Sequence, residues 1–263
     1  MKKVALVTGA SSGIGREIAS IHAERGGDLI VVARSEDKLD QLKSELEGRH
    51  SVEVSVLPKD LTEANAAQEV YDEVAGRGLA VDYLINNAGF GGRGVFHERE
   101  WDRDRAMIQL NITALTALCR HFLPDFVGRG SGRILNVSST ASLMPGPLQA
   151  VYYATKAYVT SFSNALAEEL RDSGVTVTAL LPGATETDFA RTSGMDQTSL
   201  FETTASARSV AVAGYEAMLA GKLDQIAGVT ASQRLMLAAV PVTPKKVLLS
   251  QVHKMQQVGT PGT

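Results

Sequence analysis

Residues 3–15 read KVALVTGASSGIG. An apolar run from Val4 to Val7 breaks at Thr8 into a turn carrying glycines at 9, 13 and 15, and an amphipathic stretch follows to Arg25. Apolar run, glycine turn and helix in that order open a βαβ unit, whose strand joins a parallel sheet and whose helix N-terminus faces what the turn encloses. Gly9 permits the tight turn, Gly13 lets backbone approach a pyrophosphate, and Gly15 allows close packing of the helix; the aligned peptide dipoles then favour an anion. The spacing is TGxxxGxG and not GxGxxG. Ser11, Ser12 and Ile14 complete a segment expected to hold a dinucleotide.

Outward from this segment the same alternation continues. Short runs rich in valine, isoleucine and leucine predict strands at 4–8, 29–33, 52–57, 83–86, 133–137 and 175–181, with helices near 13–25, 36–47, 62–75, 100–126 and 152–171. Gly174 is a plausible left-handed cap for the last of these. The pattern predicts an α/β fold, a Rossmann-like doubly wound parallel sheet with helices on both faces, in a single domain over 1–263. Residues 184–215 lack strong periodicity and read as a substrate loop. Ser232 and Thr243-Pro244 are good helix openers, predicting a C-terminal extension over 232–257 with helices at 233–240 and 245–257 and proline at the first helical position of the latter.

The composition narrows the function classes. With 44% hydrophobic and 21% charged residues the 263-residue chain can bury a sizeable core. A formal net charge of -3 gives no electrostatic case for nucleic acid. Cys119 is the single cysteine, which excludes an internal disulfide and fits a reducing, cytoplasmic setting. The apolar run after Lys2-Lys3 is too short for a secretory signal, and the stretch 235–242 is interrupted by Pro241, so no integral membrane segment is expected. His22, His50, His97, His121 and His253 are scattered, and no metal is implied.

Chemistry-bearing residues cluster after the strands. Tyr152 and Lys156 stand four apart on a helix, where an ammonium can favour the ionised phenol, the arrangement of a general acid/base for a carbonyl or alcohol. At the end of the second strand Arg34 offers planar donors to a 2'-phosphate, favouring NADP(H) over NAD(H), which stays possible; alternatively Arg34 is solvated and Glu36 or Asp37 supplies an acid. After the third strand come Asp60 and Leu61, the former able to reach an adenine edge or to cap the next helix. Asn86, Asn87, Ala88 and Gly89 end the fourth strand, where cofactor contacts are expected.

TGASSGIG at 8–15, NNAG at 86–89, Asn111, NVSS at 136–139, the Tyr-x-x-x-Lys pair and PG at 182–183 occur in the order and separation of the short-chain dehydrogenase/reductase family. The chain resembles that family over roughly 1–190. The resemblance selects Ser139 over Ser138 and Tyr152 over Tyr153. It implies an NADP(H)-dependent oxidoreductase interconverting a carbonyl and a secondary alcohol, with Ser139 binding the carbonyl oxygen and Tyr152 as general acid/base. Lys156 would lower the phenol pKa from about 10 and hold the nicotinamide ribose. Asn111 would sit in a locally distorted helix and support a proton-relaying water, and Pro182, Gly183, Thr185 and Thr187 would meet the nicotinamide end. Family members commonly pair through the helices at 100–126 and 152–171, so a homodimer or homotetramer is expected.

The segments expected at the substrate, 91–96, 143–145 and 189–201, are mostly apolar and suggest a hydrophobic small-molecule carbonyl or alcohol, with Arg93 or Arg191 available for an acidic group. In the C-terminal extension, Leu235, Met236, Leu237 and Met255 read either as adaptable cleft contacts or as packing. Rival readings are a catalytically idle NADP-binding regulator, an NAD-dependent alcohol dehydrogenase of the same fold, and a sugar-nucleotide epimerase. A further rival is a peripheral membrane protein using the stripe Val247, Leu248, Val252 and Met255.

Overall fold

The computed structural model describes residues 2–195, 198 and 204–257. The first strand, β1 (Val4–Thr8), leads into α1 (Gly13–Glu24), then β2 (Asp28–Ala33), α2 (Glu36–Arg49), β3 (Val54–Pro58), α3 (Ala66–Gly76) and β4 (Tyr83–Asn86). The second half comprises α4 (Trp101–Ile108), a π-helical turn over Gln109–Ala114, α5 (Leu115–Gly128), β5 (Gly132–Val137), α6 (Ala150–Glu169) and β6 (Val175–Pro182). A two-residue pair, β7 (Thr185–Glu186) and β8 (Ala205–Ser206), brackets α7 (Phe189–Ser193); α8 (Ala207–Leu219), β9 (Asp224–Ala227), α9 (Ala231–Ala239) and α10 (Lys245–Gln256) follow.

Seven strands form one parallel sheet in the order β3-β2-β1-β4-β5-β6-β9. Because β1 pairs with both β2 and β4, the connections diverge there and open a crevice at the carboxyl ends of the strands. Both faces are covered, which is why the strands read as unbroken apolar runs. Ala5, Val7, Leu29 and Val31 pack under α1, α2 and α8 with Ile18, Leu42 and Met218. The alternate residues Leu6, Ile30 and Leu84 pack under α3, α5 and α6 with Val70, Phe122 and Val159.

Two expectations are corrected, and one strand was not expected. The 184–215 region holds the start of a well-formed helix, α8, whose weak periodicity follows from an alanine-rich sequence and an interior Gly214 that packs on Leu180. The seventh strand, β9, has the sequence DQIA and no apolar run; backbone pairing with β6 makes it a strand. Gly174 has φ 75° but lies beyond the Leu170 C-cap of α6, in the turn where Gly130 approaches.

At the C-terminus, the opener of α9 is Thr230, which with Gln233 forms a capping box, rather than Ser232. Pro244 is the N-cap of α10, not its first helical residue. Leu248 and Val252 of α10 are buried in a cluster with Met107, Tyr152 and Tyr153, so the stripe considered for membrane contact is largely used within the chain. Among the described residues no helix is long and apolar enough to cross a membrane.

Candidate active site

The chain turns sharply after β1, with φ 66° at Gly9, where a Cβ would stand 2.9 Å from Ala88 Cα. Only glycine lets the ends of β1 and β4 come so close. Thr8 Oγ1 accepts the backbone N–H groups of Asn87 and Ala88, each at 3.0 Å, and Asn87 Nδ2 donates to the carbonyls of Thr8 and Gly9 at 3.0 and 3.2 Å. Ser12 opens α1 without a side-chain cap, so the first-turn N–H groups remain for an anion.

A cleft of about 1310 Å³ runs over this turn and along the carboxyl ends of the strands. Its walls contain Gly9, Ser11, Ser12, Gly13, Ile14, Arg34, Asp60, Leu61, Asn87, Ala88, Gly89, Pro182, Gly183, Thr185 and Thr187, together with Ser139, Tyr152 and Lys156. Gly15 and Asn111 stand behind the wall. Gly15 lies against the Gly9 carbonyl and the Asn87 amide, so its close partner is the turn itself rather than the sheet. Thr187 fills the space beside Gly13, its methyl 2.9 Å from where a Cβ would be.

The end of β2 presents Arg34, exposed, with Asp60 Oδ2 at 4.0 Å. Asp60 Oδ1 accepts from the N–H and hydroxyl of Thr62 at 3.0 and 2.8 Å, which shapes the 60–62 turn; α3 begins only at Ala66, so Asp60 does not cap it. Lys38, in the first turn of α2, also lines the cleft, and sequence reading missed it because a lysine on a charged helix face carries no signal of its own. Asn86 is buried away from the cleft: its Nδ2 donates to Asn136 Oδ1 at 2.9 Å, and Asn136 Nδ2 donates to Ser163 at 2.9 Å, bracing β4, β5 and α6.

Ser139, Tyr152 and Lys156 line the cleft together. Ser139 lies just beyond β5 as the N-cap of a 3-10 turn over Thr140–Leu143, its Oγ accepting Ala141 N–H at 3.1 Å and donating to Pro182 O at 3.5 Å, on the same cleft wall as the Tyr152 hydroxyl. Ser138 points the other way, donating to the Lys156 carbonyl at 2.9 Å. Tyr153 turns its ring onto Gly146 and its hydroxyl toward Gln256. Asn111, in the π-helical turn, accepts Phe90 N–H at 3.1 Å and donates to the carbonyl of Phe90 and to Thr155 Oγ1 at 3.0 and 3.1 Å. Gly89 is the point where Asn111 Oδ1 and Lys156 Nζ converge, 3.0 and 3.5 Å from a Cβ built there.

The electrostatics correct one expectation. Lys156 Nζ donates to Val137 O at 2.8 Å and lies 5.9 Å from the Tyr152 ring centroid. Burial pushes Tyr152 above its ordinary value, against a lowering influence of Ser139, and pushes Lys156 down to about 8. Desolvation is the largest influence on both groups, and for the phenol it is opposed by Ser139 and not by the Lys156 ammonium.

The substrate end also differs from expectation. Of 91–96, none lines the cleft: Arg93 Nε donates to Gln256 O at 2.8 Å, Gly92 and Gly94 wrap the Arg99 side chain, and Phe96 is exposed. Phe90, Met144, Phe189, Arg191 and Met195 do line it, Arg191 paired with Asp188 at 2.9 Å. Positions 196, 197 and 199–201 lie outside the described residues. From the C-terminal extension Gln233, Met236, Leu237 and Met255 reach the cleft, whereas Leu235 is 74% exposed.

The sequence pattern of the short chain dehydrogenases matches residues 3–198. The very-long-chain 3-oxoacyl-CoA reductase of Bos taurus is 34% identical over 197 residues, 71% of this chain and 61% of that protein. The chain thus spans about three fifths of the length of the curated relatives it matches. Among solved structures, a short-chain dehydrogenase from Sphingobium yanoikuyae in complex with NADPH superposes with a TM-score of 0.82 at 32% identity, covering 98% of this chain and 99% of that one. The bulky-bulky ketone specific alcohol dehydrogenase from Comamonas testosteroni superposes at 0.77 with 30% identity, over 91% and 92%. With its sheet order, its glycine turn and a family match over most of its length, this chain belongs to the short-chain dehydrogenases.

Proposed function

We propose that the protein is an NADP(H)-dependent oxidoreductase that interconverts a carbonyl and a secondary alcohol on an apolar small molecule. The observation that carries this reading is that Ser139, Tyr152 and Lys156 line one cleft together with the glycine turn. The NADPH complex of the Sphingobium protein and the reductase names of the relatives support it.

The cleft suits a dinucleotide: the uncapped start of α1 would hold the pyrophosphate, Thr185 and Thr187 the nicotinamide end, and Lys156 the nicotinamide ribose. NADPH would supply hydride. The protein's own part is to bind the carbonyl oxygen through Ser139, to deliver the Tyr152 phenolic proton to it, and to replenish that proton through Lys156 and Asn111. Burial keeps the phenol protonated, as a donor for reduction must be. The direct test is a panel of carbonyl compounds assayed with NADPH and with NADH; turnover of none would overturn the reading.

Cofactor choice rests on Arg34 and Lys38, two cations at the β2 end of the cleft. A charge-assisted contact to a 2'-phosphate is worth about 1.5–3 kcal/mol, roughly tenfold or more in affinity. Arg34→Ala is therefore expected to weaken NADPH binding by at least about tenfold and to leave NADH binding nearly unchanged, measured by fluorescence titration. Equal affinity of the unaltered protein for both cofactors would remove the preference.

Assembly as a homodimer or homotetramer is part of the same proposal. It draws on the exposed ring of Tyr158 on α6, which stacks 5.8 Å from half-buried Phe162, and on exposed Val127 at the end of α5. Light scattering that showed a monomer at micromolar concentration would contradict it.

A further inference from the structure

Behind the Tyr152 end of the cleft lies a second cavity of about 230 Å³, between Met144, α9, α10 and the turn that joins these helices, partly open to solvent at Met236, Ala239 and Gln251. Met144, Met236 and Met255 line both spaces, so a partition of three methionines separates them. Beyond the partition the wall is Ala239, Val240, Leu248 and Val252, with Thr243 and the exposed Gln251 as its polar members. No charged side chain lines it among the described residues. Its one hydroxyl is committed: Thr243 donates to the Ala239 carbonyl at 2.8 Å.

The size, the lining and the position each bear on what belongs there. An apolar cavity of about 150 Å³ already accepts a benzene-sized molecule, and at about 30 Å³ per water-sized group this one has room for roughly seven. Its inner wall of Leu248, Val252 and the methionines offers water no partner, and an apolar occupant would gain packing contacts with it. The partition is made of the side chain best able to move aside, unbranched and with three rotatable bonds. Leu248, Val252, Met144 and Met255 also belong to the same packed cluster as Tyr152, so the passage begins beside the group assigned to the carbonyl.

We propose that this chamber receives a hydrocarbon tail of the substrate, so that the preferred carbonyl compounds carry a flexible alkyl segment of several carbons that passes the methionine partition. The proposal rests on the reading of Tyr152 as the proton donor, which fixes where the carbonyl sits. Each buried methylene is worth up to roughly fourfold in kcat/KM.

The test is NADPH-dependent reduction of 2-ketones from 2-pentanone to 2-dodecanone by the full chain, read as the ratio of kcat/KM between 2-decanone and 2-pentanone. The unaltered protein is expected to favour 2-decanone by at least tenfold. Leu248→Phe, which narrows the chamber, should cut that ratio tenfold or more; Leu248→Ala, which widens it, should move the optimum to longer chains. Because each ratio is taken within one protein, general damage cancels, and NADPH binding reports whether each variant has folded. Should neither variant fold, the length profile of the unaltered protein decides alone: a rise to about ten carbons supports the chamber, and a flat or falling profile overturns it. Reduction of short ketones with no gain from added methylenes removes the chamber but keeps the oxidoreductase, whereas reduction of no carbonyl of any length removes the reading on which the chamber rests.

Discussion

Tyr152→Phe is expected to lower kcat for carbonyl reduction by about one hundred- to ten thousand-fold, the range for loss of a positioned general acid. The ring stays, and with it the packing against Phe189 at 5.3 Å and Tyr153 at 6.1 Å, so fold and NADPH affinity should change little. What disappears is the hydroxyl whose pKa the neighbouring Ser139 lowers. Tyr153→Phe is the matching control, since its hydroxyl faces Gln256 on α10 and not Ser139. Stopped-flow measurement of NADPH oxidation in both variants checks the pair. Near-normal turnover by Tyr152→Phe would mean that another group donates the proton.

Arg99→Ala is expected to cost about 3–5 kcal/mol of folding stability, because it strands a buried carboxylate. Asp104 has a side chain only 2% exposed, and Arg99 one 14% exposed; the guanidinium reaches Asp104 Oδ1 at 2.6 and 3.0 Å and donates to Arg93 O at 2.8 Å. That pair ties the 91–95 loop to α4, which leads directly into the π-helical turn bearing Asn111. Urea unfolding measures the loss, and the double variant Arg99→Met with Asp104→Leu should recover most of it, since removing both charges leaves none unpaired. A loss below about 1 kcal/mol for Arg99→Ala alone would show that water reaches Asp104 freely.

Local chemistry made much of the fold legible. The bounds of β1 and β4 coincide with the residues expected for them, because strands buried on both faces must be continuous apolar runs, and Thr8-Gly9 marks where such a run has to stop. The helical N-termini at Gly13 and Glu36 were readable for the same reason, each following a turn residue that ends a strand. The segments that escaped reading lack such a signal. In β9 the sequence DQIA has no β pattern, and its backbone becomes a strand only because Leu180 and Leu181 of β6 offer a free edge.

The candidate site divides along the same line. Spacing along one helix places Tyr152 and Lys156 together, and the glycine turn announces an anion site, since both depend on backbone geometry over a few residues. Which hydroxyl meets Tyr152, which asparagine faces inward and which cations stand free depend on contacts between residues far apart in the chain. Ser139 and Ser138 are neighbours with opposite destinations, and Arg93 is held by Gln256, 163 positions away, instead of facing the cleft. The sequence by itself determined the alternating elements, the parallel sheet and the glycine turn, because those follow from periodicity and local sterics. Only the tertiary structure decided the depressed Lys156, the buried Arg99–Asp104 pair and the methionine-walled chamber, because burial and packing are properties of what surrounds a residue and not of the residue's own stretch of chain.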